Sequence, residues 1–165
     1  MSTHANIIIQ NGKDKQYFYR NSDGYPDGTL PSLKMFMSWV KEGKIRDNVL
    51  QASGWLILIG ADENKDEYIG GGKYKTKENI AQPSIGTYGW RCGSYEPTTE
   101  IHSDIQYIYT LDLKKLTILV QAAVGENTYK KIMLIKEFSV IPNVPKIEQL
   151  EQTSAMNDPE SLEIV

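Results

Sequence analysis

The sequence predicts an α+β fold in which an antiparallel sheet of about five strands carries two helices on one face. Three observations support this prediction. β-prone runs occur near both ends of the chain, two helix-like patterns lie between residues 30 and 59, and the turns between neighbouring β-prone runs are hairpin-sized. We therefore expect an N-terminal hairpin, two helices and a C-terminal three-stranded meander.

The N-terminal hairpin is predicted from the runs III at residues 7–9 and QYFY at residues 16–19. The NGKDK segment separates the two runs, and its Asn11-Gly12 step is a strong hairpin turn signal because both residues tolerate positive φ angles. The first two strands should therefore pair with each other.

The first helix is predicted from the apolar residues of LPSLKMFMSWV, which recur at helical spacing from Leu30 to Val40. Thr29 and Ser32 are candidates for its N-cap, since a hydroxyl can accept a hydrogen bond from a free N–H of the first turn. Gly43 is suited to end the helix.

The second helix is predicted to run from Val49 to Ile59, with Asp47 as its cap. Gly54 lies in the middle of this segment and disfavours a helix. The run WLILI at residues 55–59 is also compatible with a buried strand, because a short apolar run does not separate the two structures by periodicity.

The stretch from Asn64 to Glu100 is too rich in glycine and proline for long regular elements, and its aromatic residues favour a packed, functional loop. Order returns in IQYIYTL from Ile105, LTILVQAA from Leu116 and YKKIMLIKEFSV from Tyr129. The short connections DLKK and GEN predict that these three runs form an antiparallel meander.

The composition is that of one globular domain. The chain has 165 residues, of which 40% are apolar and 24% charged, and we place the domain at residues 1–140. Residues 141–165 contain one lysine and five acidic residues and are expected to form a flexible acidic tail. The rest of the chain is close to neutral, which argues against salt-driven binding to duplex nucleic acid.

Neither a membrane span nor a signal peptide is expected, because the apolar runs are short and the N-terminal residues lack a basic region before an apolar one. A cytoplasmic location is therefore the expectation. The single Cys92 cannot form an intramolecular disulfide. With His4 and His102 as the only histidines, no zinc site of the usual spacing is predicted. No cofactor fingerprint is present either.

The densest polar and aromatic cluster is YRNSDGYPDG at residues 19–28. Asp23 and Gly24 favour a turn, and Pro26 holds Tyr25 in an extended conformation. The cluster has two interpretations. It can be a tight connection from strand to helix, or it can be one wall of a binding site in which Gly24 lets the backbone approach a ligand.

Tyr19 and Arg20 are adjacent, so on a strand they point to opposite faces of the sheet. An arginine at a strand end beside a helix N-terminus is well placed to bind an anion. It can equally form a structural ion pair with a carboxylate such as that of Asp23.

The second cluster lies in WRCGSYEPTTEIHSDIQYIY at residues 90–109. On a strand, His102 and Asp104 share one face, so the aspartate can orient the histidine as a general base or as an anion contact. A solvated strand start has the same pattern. The candidate contacts for an anion or an aromatic ring in the preceding loop are Trp90, Arg91 and Tyr95.

Both clusters together resemble a family of uncharacterised small proteins from bacterial and phage genomes, which carry a DGYP turn and a later strand similar to HSDIQYIY. The resemblance implies that the following residues form one constellation: Tyr19, Arg20, Asp23, Gly24, Tyr25, Pro26, His102 and Asp104. A phage or mobile-element context implies host interaction or capture of a small signalling molecule.

Three functions fit these observations. The first is a binding protein for an anionic, nucleotide-like small molecule, whose pocket lies between the DGYP turn and the His102 strand. The second is a hydrolase or phosphodiesterase with His102 as base and Asp104 as its orienting carboxylate. The third is a module that binds a host protein. A homo-oligomer is compatible with each.

Overall fold

The computed structural model describes residues 2–63, 66–71, 73–76 and 94–139, and it begins with the predicted hairpin. Strand β1 (Ala5–Asn11) pairs antiparallel with β2 (Asp14–Arg20), and Asn11 lies opposite Asp14 across a two-residue loop. Gly12 in that loop has a φ of 62°, a left-handed conformation that glycine adopts without steric cost. The Asn-Gly prediction of a hairpin is confirmed.

Helix α1 (Pro26–Lys41) begins one turn before the predicted caps. Its N-cap is Tyr25, which is extended (φ −68°, ψ 158°) as the following proline requires. Proline is favoured at the first helical position because its missing N–H has no partner there anyway. Thr29 and Ser32 therefore lie inside the helix. Gly43 follows the end of the helix with a φ of 79°, as predicted.

Helix α2 (Val49–Glu63) confirms the second helix and excludes the alternative of a buried strand. The Asn48 side chain caps it, because its Oδ1 accepts a hydrogen bond from the backbone N–H of Gln51 at 3.0 Å. The predicted cap at Asp47 was therefore one residue too early. Asparagine and aspartate are comparable caps, so the sequence alone does not choose between neighbours.

Six strands form one sheet in the order β5-β2-β1-β6-β7-β8. The further strands are β3 (Asp66–Gly70), β4 (Lys73–Thr76), β5 (Glu96–Thr98), β6 (Tyr107–Asp112), β7 (Thr117–Gly125) and β8 (Thr128–Ile135). Strands β6 to β8 are the predicted meander. Among the described residues, strands β3 and β4 pair only with each other.

The sheet is mixed rather than wholly antiparallel, because β1 and β6 run parallel. All other neighbours in it are antiparallel. The sequence pattern describes how a strand alternates between two faces, but it carries no signal for the relative direction of strands that are distant in the chain. The predicted fold class holds, and the direction at this one junction was wrong.

The main core lies between the helices and one face of the sheet, which we call the helix face. It includes Ile7 and Ile9 of β1, Phe18 of β2 and Leu33 and Phe36 of α1, all fully buried. The opposite face, here called the open face, carries a smaller cluster. Its members are Ile8, Ile105 and Ile108, with Tyr17, Tyr19 and Tyr129 packed against them.

No helix in the described part of the chain is long and apolar enough to cross a membrane. The acidic segment from residue 141 onward, predicted to be a flexible tail, lies outside the described residues. The flexible tail therefore stays a prediction.

Candidate functional site

Tyr19 and Arg20 end β2 and point to opposite faces of the sheet, as strand alternation requires. Arg20 lies among the helices on the helix face, whereas Tyr19 stacks on the His102 ring on the open face. The structure therefore does not bring Arg20 and His102 into one pocket. The residues predicted to form one site divide into two groups.

The first group is a buried network around Arg20, whose exposed fraction is 4%. Its guanidinium donates to the Glu63 carboxylate at 2.8 Å, to the Gly28 carbonyl at 3.0 Å and to the Asp23 carbonyl at 3.3 Å. It also lies 4.9 Å from the centre of the Tyr95 ring. Arg20 thus joins the end of β2 to both helices, which is the structural alternative considered above, with Glu63 rather than Asp23 as the carboxylate.

Arg20 stays positively charged in this network although it is buried. Burial alone lowers the pKa of Arg20, but the neighbouring Tyr95 and Glu63 more than offset this, so its pKa is above the usual value. Burial raises the pKa of Tyr95, whose hydroxyl is hydrogen-bonded to that of Ser32. We call Arg20, Ser32, Glu63 and Tyr95 the arginine network.

The DGYP turn is also held from within the protein. Asp23 has a φ of 54°, and its carbonyl accepts a hydrogen bond from the Thr29 hydroxyl at 2.8 Å. The Gly24 carbonyl accepts one from the buried Tyr109 hydroxyl at 2.7 Å. A Cβ at Gly24 would lie 2.8 Å from the carbonyl oxygen of Thr3. The close backbone approach predicted at Gly24 is therefore made to the N-terminal segment.

Tyr25 and Asp23 are the residues of this turn that face solvent, and 42% of the Tyr25 surface is exposed. The Asp23 carboxylate raises the pKa of the Tyr25 hydroxyl, through its negative charge and because it accepts a hydrogen bond from that hydroxyl. The Tyr25 ring stays available to a ligand or partner, whereas the residues around it support the fold.

The second group lies on the open face, where His4, Tyr19 and His102 stack; we call these three residues the imidazole stack. The centre of the Tyr19 ring is 4.2 Å from that of His102 and 5.8 Å from that of His4. The Tyr19 hydroxyl donates to Asp104 at 2.8 Å. Burial and this carboxylate both raise the pKa of Tyr19, so the tyrosine stays neutral and acts as a donor.

His102 and Asp104 lie in the turn before β6 and not on a strand, so the alternation used to pair them does not apply. The Nε2 atom of His102 is 3.0 Å from the Thr98 hydroxyl. The Asp104 carboxylate accepts from Tyr19 and lies 3.9 Å from Nε2 of His4. No hydrogen bond joins Asp104 to His102 in the described part of the chain. The hydrolase alternative, which uses this pair, stays a prediction.

Asn6 positions this turn and is not among the predicted site residues. Its amide donates to the carbonyls of Phe18 at 2.9 Å and Glu100 at 3.4 Å, and its Oδ1 accepts from the His102 backbone N–H at 2.8 Å. Gln106 forms two hydrogen bonds with the backbone of His4: its side-chain oxygen accepts from the His4 N–H, and its own backbone N–H donates to the His4 carbonyl. A buried asparagine on a strand that otherwise reads as apolar was the available signal.

Trp90 and Arg91, which were predicted to contact an anion or a ring, lie outside the described residues. Tyr95 is described, and it is fully buried in the arginine network. A ring in that position packs against Arg20 and does not meet a ligand from solvent.

A groove of about 580 Å³ lies at the other end of the open face and reaches round the end of the sheet to Lys41, the last residue of α1. We call it the lysine groove, and its lining residues are Gln10, Lys41, Thr110, Asp112, Lys115, Leu116, Thr117, Leu119, Leu134 and Lys136. Gln10 lies four residues from Asn6 along β1, which separates the groove from the imidazole stack by about 13 Å. The two sites on this face are therefore distinct.

The charges that line the groove are unequal. Lys41, Lys115 and Lys136 form no ion pair with any residue in the described part of the chain. The one acidic lining residue is Asp112. Ammonium groups without a carboxylate partner leave such a groove locally positive.

The Asp112 carboxylate accepts hydrogen bonds from groups of the protein itself, and 8% of the residue's surface is exposed. Its Oδ1 accepts from the backbone N–H groups of Lys114 at 3.0 Å and Lys115 at 2.8 Å, and its Oδ2 accepts from Gln10 at 3.0 Å. Burial opposes ionisation, but these hydrogen bonds and the charge of Lys115 prevail and lower the pKa of Asp112. The carboxylate shapes the turn between β6 and β7.

The DLKK segment was predicted only as a hairpin connection, and the groove was not predicted. The signal that could have indicated it is the alternation on the meander strands, which puts Thr110 and Leu119 on the face opposite the core. Comparison of the chain with protein-family models, with curated proteins and with solved structures gives no match. The chemistry of the site must therefore be inferred from its residues.

Proposed function

We propose that this protein binds an anionic small molecule in the lysine groove. The observation that carries the proposal is an excess of positive charge: three lysines, Lys41, Lys115 and Lys136, line one groove against the single carboxylate of Asp112, and none of them forms an ion pair within 4 Å among the described residues. At an effective dielectric constant near 20, each ammonium group at about 4 Å attracts a unit negative charge by about 4 kcal/mol before the cost of desolvation. Anions are favoured over neutral ligands on that basis.

The rest of the lining supports a ligand with an organic body. Leu116, Leu119 and Leu134 offer apolar surface, while Thr110 and Thr117 offer hydroxyl groups. A volume of about 580 Å³ lies within the range of about 300–1,000 Å³ that is typical of small-molecule sites. A nucleotide-sized anion, with a phosphate or carboxylate at the lysines and a ring or chain over the leucines, fits both parts.

Isothermal titration calorimetry with AMP and adenosine tests the proposal, because the two probes share a ring and a sugar and differ in the phosphate. We expect AMP to bind more tightly than adenosine and its affinity to fall as sodium chloride is raised. Inorganic pyrophosphate and citrate extend the series to anions without a ring. If adenosine binds as tightly as AMP, or if none of the anions binds, the proposal is wrong.

Three variants locate the site. Lys115→Gln should weaken AMP binding by about tenfold, since it removes one charged contact. Asp112→Asn should strengthen it, because the groove loses its one negative charge. Lys13→Gln removes an exposed lysine from the β1–β2 loop and is the matched control. Equal effects of Lys13→Gln and Lys115→Gln would place the binding elsewhere.

A further inference from the structure

The open face continues from the lysine groove along the β7–β8 hairpin, and β8 is an edge strand of the sheet. Residues that lie opposite each other in an antiparallel pair share one face of the sheet. From the groove toward the hairpin turn, the pairs are Leu119 with Leu134, Gln121 with Lys131, and Ala123 with Tyr129. We call these six residues the hairpin row.

The hairpin row lies on the open face along its whole length. At one end, Leu119 and Leu134 line the lysine groove. At the other end, the half-buried Tyr129 packs against the isoleucine cluster of the open face. Lys131 is two residues from Tyr129 with no register shift between them, so its side chain points the same way. The row and the groove therefore form one continuous surface.

This surface is positive at the edge formed by the hairpin. Lys131 is exposed and, like the groove lysines, forms no ion pair with any described residue. Strands β6 to β8 carry a single carboxylate, that of Asp112, which already accepts hydrogen bonds from the protein. The other carboxylates near this face lie away from the row: Glu126 in the hairpin turn, and Asp104 and Glu96 beside Tyr19 at the opposite edge.

We propose that the hairpin row binds single-stranded nucleic acid, one nucleotide of which occupies the lysine groove. The inference deepens the proposed function and rests on it for the end of the strand that lies in the groove. Proteins bind single strands with ammonium groups along the phosphates and with aromatic rings on which bases stack. Here Lys131 and Lys136 meet phosphates, and the Tyr129 ring takes a base.

The length and chemistry of the row favour this occupant. Tyr129 and Lys136 are seven residues apart on an extended chain, which gives about 20 Å, and the smallest single-strand sites hold about four nucleotides. A duplex keeps its bases paired and stacked, so it has none free to lie on Tyr129. An acidic peptide would use the lysines but brings no ring at regular intervals.

Fluorescence anisotropy with labelled adenosine octanucleotides, one of RNA and one of DNA, tests the proposal against AMP, which carries the same base. We expect an octamer to bind about tenfold or more tightly than AMP, because it contacts the row as well as the groove. A preference for one octamer identifies the natural polymer, and binding of either supports the proposal. Octamers that bind no more tightly than AMP would overturn this inference alone. If neither the octamers nor AMP bind, the proposed function is wrong as well.

A matched pair of lysine variants locates the phosphate contact. Lys131→Gln should weaken octamer binding several-fold and reduce the slope of log affinity against log salt by about 0.7, the value of one phosphate contact on a single strand. Lys130→Gln is the control, since Lys130 is the exposed neighbour whose side chain points to the other face. It should leave both quantities unchanged. Equal effects of the two variants would contradict binding along the row.

Two tyrosine variants test the base contact. Tyr129→Ala should weaken octamer binding by about tenfold, and Tyr129→Phe should lose much less because it keeps the ring. The lysine pair keeps the test independent of how well Tyr129→Ala folds. If Tyr129→Ala binds the octamer as wild type does, no base lies on this ring and the proposal is wrong. A polyglutamate peptide that displaces the octamer as well as the unlabelled octamer does would instead assign the row to acidic proteins.

Discussion

The two faces of the sheet use positive charge in different ways. On the helix face, Arg20 is buried and its guanidinium donates to Glu63 and to two backbone carbonyls. On the open face, Lys115 and Lys136 line a groove and form no ion pair with any other described residue. A cation that the protein itself neutralises holds the fold together, whereas a cation left without a partner is available to a ligand.

This difference changes the meaning of a dense polar cluster in a sequence. The YRNSDGYPDG stretch stands out because it joins a strand to a helix and uses its charged and aromatic residues for that purpose. The lysine groove comes from residues spread over α1, β1 and the meander, and none of its short segments is unusual. In this protein, a dense cluster of charged and aromatic residues indicates a structural role more than a binding role.

The largest expected effect is on the helix face. Arg20→Met should lower the free energy of unfolding by about 3 kcal/mol, because it leaves the Glu63 carboxylate and two carbonyls without their donor. Urea denaturation followed by tryptophan fluorescence measures the loss. Arg46→Met, at an exposed position, should change stability by less than about 0.5 kcal/mol. If the two variants are equally stable, the arginine network does not stabilise the fold, and the contrast between the faces fails.

A smaller effect is expected one residue earlier in the chain. Tyr19→Phe removes the hydroxyl that donates to Asp104 on the open face and should cost about 1 kcal/mol. The ring stack with His102 is kept. Tyr17→Phe serves as the control, and both variants can be followed in the same urea titrations. A loss from Tyr19→Phe as large as that from Arg20→Met would contradict the view that the open face contributes less to stability.

The smallest expected effect is on the loss of stability at acidic pH. Asp112 has a pKa in the folded state that is below its value in the unfolded chain, so its contribution to stability is present above about pH 4 and is lost as the pH falls through the folded value. Asp112→Asn should therefore lose less stability than wild type between about pH 5 and pH 2, by less than about 1 kcal/mol.

Urea titrations at each pH measure this difference, and Asp14→Asn controls for the change in net charge. Curves of wild type and Asp112→Asn that stay parallel over this pH range would show that the hydrogen bonds to Asp112 do not stabilise its charged form.

Much of the fold could be predicted because it depends on local signals. The hairpin follows from Asn11-Gly12, and the meander follows from short connections between alternating runs. The first helix was also predicted, although it begins at Pro26, one turn before the caps predicted at Thr29 and Ser32. The parallel pairing of β1 with β6 could not be predicted in this way, since it joins residues about one hundred positions apart. The cap of α2 was displaced by one residue for the opposite reason, because two adjacent residues are equally suitable.

The site was harder to predict than the fold. The sequence identified Tyr19, His102 and Asp104, and the structure does bring these three together, but through a bond from Tyr19 to Asp104 rather than an aspartate–histidine pair. His4, the residue whose Nε2 lies near Asp104, comes from a segment with no distinctive pattern. Contacts of this kind depend on how strands from both ends of the chain meet, and spacing within one segment does not report them.

The parallel junction between β1 and β6 has a consequence for the order of folding. It divides the sheet into a hairpin and a meander, each made of neighbours in the chain, which can form quickly because their loops are short. Joining them requires closure of a loop of about one hundred residues, and this entropic cost must be met before the central contacts form. On a ribosome, β1 therefore has an unpaired edge until β6 has been synthesised, and during that interval the isoleucines of β1 are exposed to other chains.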